Sequence, residues 1–378
     1  MNSKIWLSSP HMGENEQKFV KEAFDTNWVA PLGPNVNGLE SDLASFLNSE
    51  SKVAALSSGT AALHLSLILL DIKSGDEVIC QSMTFSASAN PILYQNAIPV
   101  FIDSEKDTWN MDPEVLEATI KDRIAKGKKP KAIIPVHLYG MPAKMEPIMQ
   151  IAEKYEIAVV EDAAEALGSS IEEKKCGTFG DMAILSFNGN KIITTSGGGA
   201  LVSKNKNLIR KATFLATQAR DPAPHYEHSQ IGYNYRMSNI CAGIGRGQMD
   251  VLPERIQQRR KNFNFYKERL SELPGVSFVK EPEGFFSNRW LTTILIDPKE
   301  SDSIRREDVR LALEKENIES RPLWKPMHLQ PVFKGYPYYG GKVSEMLFEN
   351  GLCLPSGSNL TVNELNRVID CIHTVFNN

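Results

Sequence analysis

The feature that most constrains the fold is an alternation of short, β-branched apolar runs with helical stretches between residues 52 and 202. Apolar runs of this kind are typical of strands covered on both faces. The predicted strands are Val53–Ser57, Val78–Gln81, Val100–Asp103, Ala132–His137, Ile157–Asp162 and Ala183–Phe187. The predicted helices between them are Gly59–Leu70, Ser86–Gln95, Pro113–Ala125 and Ala143–Tyr155. The alternation predicts βαβ units in a layered α/β domain, with ligands at the carboxyl ends of the strands.

After about residue 205 the pattern changes to α+β. A long helical segment, Met237–Leu273, precedes predicted strands at Trp290–Ile296 and near Ile318–Arg321, and predicted helices at Ile304–Asn317 and near Val362–Phe376. The length of 378 residues fits two domains of ~150 residues or more. We place the boundary inside the long helical segment. This gives a large domain at residues 1–250, which includes the N-terminal segment, and a small domain at residues 251–378.

Composition excludes several classes of function. The 42 basic and 46 acidic residues give a net charge of −4, which excludes a strongly basic nucleic-acid binder. No apolar run reaches the ~18 residues of a membrane span, and the N-terminus lacks the apolar core of a signal peptide. The five dispersed cysteines favour reduced thiols, and no His or Cys spacing is typical of zinc. We therefore expect a cytoplasmic protein with no metal.

The segment Ser186-Phe187-Asn188-Gly189-Asn190-Lys191 places a lysine in a loop of small residues just after a predicted strand. Small residues let a ligand approach the chain closely. A lysine amine that loses its proton can form a Schiff base with an aldehyde cofactor. Taken alone, however, a solvated loop lysine is the more common explanation of Lys191.

A second predicted strand ends in two carboxylates, Glu161 and Asp162, and Glu165 follows after two alanines. Because side chains alternate along a strand, Glu161 and Asp162 should point to opposite faces, so only one enters a given site. Pyridoxal phosphate chemistry needs an acid that keeps the pyridine nitrogen protonated. A capping box formed by Asp162 and Glu165 at the start of a helix explains the same pattern equally well.

A third strand-to-helix junction carries Ser58, Gly59 and Thr60. Backbone N–H groups at a helix start, together with these hydroxyl groups, suit a phosphate, although an ordinary N-cap explains the residues separately. The phosphate site, the acid and the lysine follow three separate predicted strands. Their combination indicates one pyridoxal phosphate site rather than three unrelated turns.

These segments, together with Thr84-Phe85 and Gly232-Tyr233-Asn234-Tyr235-Arg236-Met237-Ser238, resemble the DegT-type nucleotide-sugar aminotransferases, in order, from about Ile5 to Ile372. The resemblance implies fold type I, with a large three-layer α/β domain around a mostly parallel sheet and a small C-terminal α+β domain. It also implies pyridoxal phosphate as cofactor and a homodimer with shared active sites. Some relatives replace the lysine with histidine and carry out sugar 3-dehydration, so Lys191 favours transamination.

The resemblance also assigns roles around the cofactor ring. Lys191 is implied to bind the cofactor's aldehyde and later to move protons at the substrate carbon. Asp162 is implied to pair with the pyridine nitrogen, and Phe85 to pack on the ring. Glu165 occupies the position where relatives often have Gln or His near the phenolic oxygen, which is a departure within the wider family.

The phosphate end follows from the same resemblance. Ser58, Gly59, Thr60 and Ser186 are implied to bind the phosphate group, with Asn188 in the same cofactor-binding loop. Asn234 is implied to reach the phosphate from the neighbouring subunit.

Three further segments, Asn27–Pro34, Arg321–His328 and Leu354–Ser358, resemble the C4 aminotransferases of the bacillosamine-type branch. That branch acts on UDP-4-keto-6-deoxy-N-acetylglucosamine with L-glutamate as amino donor. The substrate-binding candidates are Arg236, Trp324, Lys325 and His328. For each cation alone a salt bridge is the more common explanation, and Trp324 either stacks on a ligand base or fills a domain junction.

Two alternatives remain open. One is a sugar aminotransferase of different regiochemistry or stereochemistry. The other is a non-catalytic regulatory protein that retains a pyridoxal phosphate pocket.

Overall fold

The computed structural model describes residues 3–47 and 50–377, so residues 1–2, 48–49 and 378 of the two predicted domains lie outside the described chain. The α-helices of the described chain are α1 (Glu16–Asp25), α2 (Pro34–Leu47), α3 (Gly59–Leu69), α4 (Asn90–Tyr94), α5 (Pro113–Ala125), α6 (Met145–Lys154), α7 (Lys206–Ala216), α8 (Asn239–Leu270), α9 (Arg306–Lys315), α10 (Val343–Asn350) and α11 (Val362–Phe376). Its strands are β1 (Lys52–Leu56), β2 (Glu77–Gln81), β3 (Ile98–Ile102), β4 (Ala132–Ile134), β5 (Ala158–Asp162), β6 (Ser170–Ile171), β7 (Lys174–Lys175), β8 (Met182–Ser186), β9 (Gly199–Ser203), β10 (Val276–Phe278), β11 (Phe285–Phe286), β12 (Thr292–Ile296), β13 (Arg321–Pro322), β14 (Tyr338–Tyr339) and β15 (Gly351–Leu354).

The largest sheet has eight strands in the order β1-β9-β8-β5-β4-β2-β3-β14. From β8 to β14 all neighbours are parallel, and β9 runs antiparallel to both β1 and β8. Alternate residues of the strands pack against α3, α4 and α7 on one face and against α2, α5, α6 and α8 on the other. The sheet is thus the middle of three layers, as predicted for a mostly parallel α/β architecture.

Two predicted elements end differently because of proline. The strand predicted through His137 ends at Ile134, since Pro135 has no amide to continue the ladder. The helix predicted over Ser86–Gln95 is a 3₁₀ turn at Ser86–Ser88 followed by the short α4, in which Pro91 occupies the first turn. Both differences shorten an element without changing its place in the layers.

A second sheet of four antiparallel strands, β10-β12-β15-β13, packs on α9, α11 and the end of α8 around its own apolar core. Ile5 joins this core through a bridge to Ile318, so the N-terminal segment packs on the C-terminal part of the chain. The strand expected near Ile318–Arg321 forms at Arg321–Pro322. Residue 250 lies inside α8, and the division into domains at that point stays a prediction.

The site is positioned by the edge of the large sheet where β1, β2, β5 and β8 end. These strands run in the same direction, so their carboxyl ends meet at this edge. The three predicted cofactor-binding segments follow β1, β5 and β8 there. Among the described residues, no helix combines the length and the apolar character needed to cross a membrane.

Candidate active site

A cavity of about 380 Å³ lies at this edge of the sheet. Its lining includes ten of the residues predicted from the sequence, which are Ser58, Gly59, Thr60, Phe85, Asp162, Glu165, Ser186, Asn188, Lys191 and Trp324. Four predicted residues do not line it, namely Asn234, Arg236, Lys325 and His328. One protomer therefore brings together most of the predicted cofactor site.

One end of the cavity is the start of α3. Ser58 is its N-cap, and the Ser58 Oγ accepts a hydrogen bond from the Ala61 amide at 3.0 Å. The amides of Gly59 and Thr60 lie in the first turn, where no intrahelical acceptor exists. A Cβ atom on Gly59 would lie 3.2 Å from the Cβ of Ser186, so the end of β8 approaches the helix start closely. These donors and the positive end of the helix dipole fit a phosphate group.

Asp162 lies deep in the cavity and is 6% exposed. Its Oδ2 accepts a hydrogen bond from Ser88 Oγ at 2.6 Å, and its Oδ1 accepts one from the Ala164 amide at 3.1 Å. Thr84 Oγ1 lies 2.7 Å from Ser88 Oγ and extends the network. Two donors fix the orientation of the carboxylate, and a carboxylate is the group that can hold a protonated pyridine nitrogen.

The capping alternative for Asp162 is not observed. Residues 163–169 form turns rather than a helix, and the Glu165 side chain bonds the amide of Tyr139 at 2.6 Å instead of closing a capping box. The hydrogen bond that Asp162 accepts from the Ala164 amide is local to this turn. The side chains of Asp162 and Glu165 therefore both contribute to the cavity.

Glu161 points to the opposite face of β5, as strand alternation predicts. It is fully buried, and it accepts hydrogen bonds from the amides of Gly177, Phe179 and Gly180 at 2.8, 2.6 and 2.8 Å. His137 Nε2 lies 2.9 Å from the same carboxylate. Glu161 thus anchors the loop before β8 and does not enter the cavity.

Lys191 places its amine between a carboxylate and an aromatic face. Its Nζ lies 3.5 Å from Glu165 Oε1 and 4.0 Å from the centre of the Trp290 ring. Trp290 Nε1 donates a hydrogen bond to the carbonyl of Asn190 at 2.7 Å, which holds the chain next to the lysine. Among the described residues that line the cavity, Lys191 is the one lysine. The amine is thus held where an aldehyde ligand would meet it.

Ser88, Tyr139 and Trp290 are among the residues that contribute to the site without having been predicted. Ser88 belongs to a stretch of small hydroxyl residues beside Phe85, which was a usable signal. Trp290 and Tyr139 are isolated aromatic residues far along the chain from the motifs they contact. No local pattern distinguishes them from ordinary core residues.

Among the substrate candidates, Trp324 lies in the cavity wall. Its ring centre is 5.3 Å from that of Phe85, and the buried indole Nε1 has no hydrogen-bond partner within the described chain. Lys325, the next residue, is exposed and does not line the cavity. Trp324 is thus the predicted substrate residue that this protomer places beside the cofactor site.

The remaining predicted residues have other contacts. Arg236 pairs with Glu40 and donates to the carbonyl of Ala55 at 2.9 Å. His328 stacks on Tyr338 at 3.7 Å and lies 2.7 Å from the hydroxyl of Ser82 at the end of β2. These contacts hold α2 and the segment after β13 in place. Asn234 is exposed on the protomer surface.

The buried Glu165 is expected to make stability depend on pH before any ligand binds. Burial raises the pKa of Glu165 above its ordinary value of 4.5, although Lys191 and the Tyr139 amide oppose the shift. The folded protein then holds this proton more tightly than the unfolded chain. The contribution of protonated Glu165 to the free energy of unfolding is therefore complete below pH 4.5. It is lost as the pH rises through the raised pKa.

Glu165→Gln removes this titration while keeping the size of the side chain. For the cofactor-free protein, the Tm of wild type relative to the variant should fall as the pH rises from about 4 to about 8. Calorimetry of both proteins across that range measures the difference. A difference that stays constant or grows with pH contradicts the expected sign.

Comparison with known proteins agrees with this geometry. The profile of the DegT/DnrJ/EryC1/StrS aminotransferase family matches residues 10–373. The chain is 53% identical to EpsN of Bacillus subtilis, which is named as a pyridoxal phosphate-dependent aminotransferase, over 100% of this chain and 97% of that protein. It is 36% identical to the GDP-perosamine synthase of Caulobacter vibrioides, over 98% of each chain.

A solved structure shows a similar likeness to a sugar aminotransferase. Spr1654 of Streptococcus pneumoniae, named as a sugar aminotransferase and solved in its PMP form, superposes with a TM-score of 0.89 at 27% identity, over 99% of this chain and 98% of that one. The same protein is also solved in a PLP form. The chain belongs to the DegT/DnrJ/EryC1/StrS aminotransferase family and is a fold type I, pyridoxal phosphate-dependent nucleotide-sugar aminotransferase.

Proposed function

We propose that this protein transfers an amino group from L-glutamate to C4 of a nucleotide-linked 4-keto-6-deoxy sugar, with UDP-4-keto-6-deoxy-N-acetylglucosamine as the preferred acceptor. The observation that carries the proposal is the cavity itself, which joins Lys191, Asp162 and the start of α3 to a wall formed by Phe85 and Trp324. The first three fit the cofactor. The aromatic wall offers a surface for a sugar or a base.

When bound, pyridoxal phosphate supplies an aldehyde and an electron-accepting ring, which together carry an amino group from one substrate to the next. Asp162, fixed by Ser88, holds the proton on the ring nitrogen. Lys191 moves the proton at the substrate carbon that loses or gains nitrogen. Glu165 lies 3.5 Å from the lysine amine, and its carboxylate, when ionised, stabilises a positive charge on that amine.

The same proposal includes a cytoplasmic homodimer in which Asn234 reaches the phosphate in the neighbouring subunit. Asn234 is exposed and lies outside the cavity of its own protomer. Large apolar side chains near it in the sequence are also exposed, with Ile231 at 84% and Tyr226 at 78%. Exposed apolar groups of this kind favour an interaction surface.

Both proposed ligands of the site are phosphorylated, yet the net charge is −4. The phosphate groups must therefore be bound by local donors rather than by the overall field of the protein. The amides at the start of α3 serve the cofactor. For the nucleotide, Lys325, His328 and Arg236 remain proposed contacts. Arg236 and His328 would then contact the ligand in addition to Glu40 and Ser82.

The GDP-perosamine synthase relationship favours one other acceptor, a GDP-linked keto sugar. Amination at a different carbon and a non-catalytic role are the further alternatives. A panel of UDP-, dTDP- and GDP-linked keto sugars, assayed with glutamate and saturating cofactor, separates them when the products are analysed by NMR. We expect fastest turnover with UDP-4-keto-6-deoxy-N-acetylglucosamine and nitrogen at C4. Turnover of none of these sugars contradicts the proposed function.

A further inference from the structure

Tyr139 lies behind the cavity wall, in a 3₁₀ turn formed by residues 138–140 after β4. It is 4% exposed, and its backbone has φ 53° and ψ 22°. This left-handed conformation is uncommon for a bulky residue and persists only where the surrounding structure holds it in place. The contacts of Tyr139 show what holds it.

The backbone of Tyr139 contacts the cofactor side of the cavity. Its amide donates a hydrogen bond to Glu165 Oε2 at 2.6 Å. The other oxygen of that carboxylate, Oε1, lies 3.5 Å from Lys191 Nζ. The residue in the left-handed conformation is thus the one whose amide contacts Glu165. The backbone of Tyr139 thus fixes a carboxylate next to the reactive lysine.

The side chain of Tyr139 contacts the opposite part of the wall. Its hydroxyl accepts a hydrogen bond from the Trp324 amide at 2.8 Å. Its ring stacks between two indoles, with the centre of Trp324 at 5.9 Å and an angle of 22°, and that of Trp290 at 6.4 Å and an angle of 17°. Trp290 in turn lies under the amine of Lys191. One buried residue therefore joins the two parts of the site.

We propose that Tyr139 is a positioning residue that holds Trp324 for the nucleotide-sugar acceptor through its hydroxyl, and Glu165 for the lysine through its amide. The inference rests on the proposed function, in which Trp324 contacts the acceptor. The two contacts use different atoms, so a side-chain substitution separates them. Loss of the hydroxyl affects the acceptor half-reaction, whereas the glutamate half-reaction depends on the backbone, which a tyrosine-to-phenylalanine change preserves.

The test is Tyr139→Phe. Without the hydroxyl, the part-buried amide of Trp324 loses this acceptor, so the segment carrying the indole shifts or loosens. We expect KM for UDP-4-keto-6-deoxy-N-acetylglucosamine to rise about fivefold to tenfold. The rate of the glutamate half-reaction, followed by the change in cofactor absorbance, should stay within about twofold of the wild-type rate. The pH dependence of that absorbance should be the same as in wild type.

Tyr266→Phe is the matched control. Tyr266 is also fully buried, and its hydroxyl donates one hydrogen bond, to the carbonyl of Pro355 at 3.0 Å in the C-terminal part of the chain. A comparable loss of Tm in both variants, with the change of KM confined to Tyr139→Phe, separates positioning from general stability. Equal changes of KM in both variants overturn the proposal.

A double-mutant cycle with Trp324→Phe tests whether Tyr139 acts through Trp324. The cycle is measured both as KM for the acceptor and as the affinity of the holoenzyme for UDP, which needs no turnover. We expect the double variant to bind no more weakly than Trp324→Phe alone. If the effects of the two single substitutions add in the double variant, the proposal is overturned and the proposed function is not. The same holds if Tyr139→Phe lowers the rates of both half-reactions.

The results that would contradict the proposed function differ from those that would overturn the role of Tyr139. If wild type aminates no sugar of the panel, the function is wrong, and the UDP cycle still decides whether Tyr139 and Trp324 are coupled. If wild type is active but Trp324→Phe changes neither KM nor UDP affinity, Trp324 is not a substrate contact and the role of Tyr139 falls with it.

Discussion

Replacement of Lys191 by alanine is expected to lower kcat for transamination by at least about 10³-fold, because one side chain both binds the cofactor's aldehyde and moves the proton. Among the described residues that line the cavity there is no second lysine to substitute for it. The amides at the start of α3 remain intact, so the variant should still bind the cofactor through its phosphate. Steady-state kinetics and cofactor absorbance measure the two effects independently.

Lys334→Ala is a suitable control for the loss of a lysine. Lys334 is exposed and does not line the cavity, so its replacement should change neither the absorbance nor kcat. In Lys191→Ala the visible band of the lysine-bound cofactor should be absent. Retention of that band together with wild-type turnover would show that another amine holds the cofactor.

The second large effect is expected for Asp162→Asn, with kcat lowered by about 10²–10³-fold. The amide keeps the shape of the side chain and can still accept the hydrogen bond from the Ala164 amide. It is neutral, however, and cannot stabilise a protonated pyridine nitrogen. The pH dependence of the cofactor spectrum should change together with kcat, which distinguishes an electrostatic effect from misfolding.

Glu161→Gln provides the matched comparison on the neighbouring residue. Glu161 accepts hydrogen bonds from three loop amides on the opposite face of β5. Its replacement should therefore lower Tm and leave kcat nearly unchanged. The contrast between adjacent carboxylates tests the alternation argument directly. If both variants lose activity equally while remaining folded, the assignment of Asp162 is wrong.

The layered α/β region was largely predictable because its signals are local. Buried parallel strands read as continuous apolar runs, and each one ends in turn residues that the sequence displays. Because parallel strands end at the same edge, Ser58, Asp162 and Lys191 were expected to converge, and they line one cavity. Their chemical roles remain predictions that the variants above test.

Other parts of the fold carried no such signal. Strand β14 is only two residues long, Tyr338–Tyr339, and it joins β3 from more than two hundred residues away. No pattern in this Gly- and Tyr-rich segment predicts a parallel pairing at that distance. Likewise Tyr139 and Trp290 act through contacts with Glu165, Trp324 and Lys191, which only the tertiary structure brings together.

The predicted substrate-binding residues show a different limit. Arg236 and His328 matched family segments, yet in this protomer their side chains contact Glu40 and Ser82. A motif identifies the residue type but does not say which partner a long polar side chain selects. Trp324 could be placed in the cavity wall only once β13 and the segment after it were positioned against Tyr139.

The most direct test of the proposed transamination is the fate of the glutamate nitrogen. Holoenzyme is incubated with ¹⁵N-labelled L-glutamate and UDP-4-keto-6-deoxy-N-acetylglucosamine, and the sugar product is examined by NMR beside a Lys191→Ala control. We expect ¹⁵N at C4 of the sugar, 2-oxoglutarate in equal amount, and neither product with the variant. An unlabelled sugar with no 2-oxoglutarate from wild type, for this acceptor and for the dTDP- and GDP-linked ones, would contradict the proposed transamination.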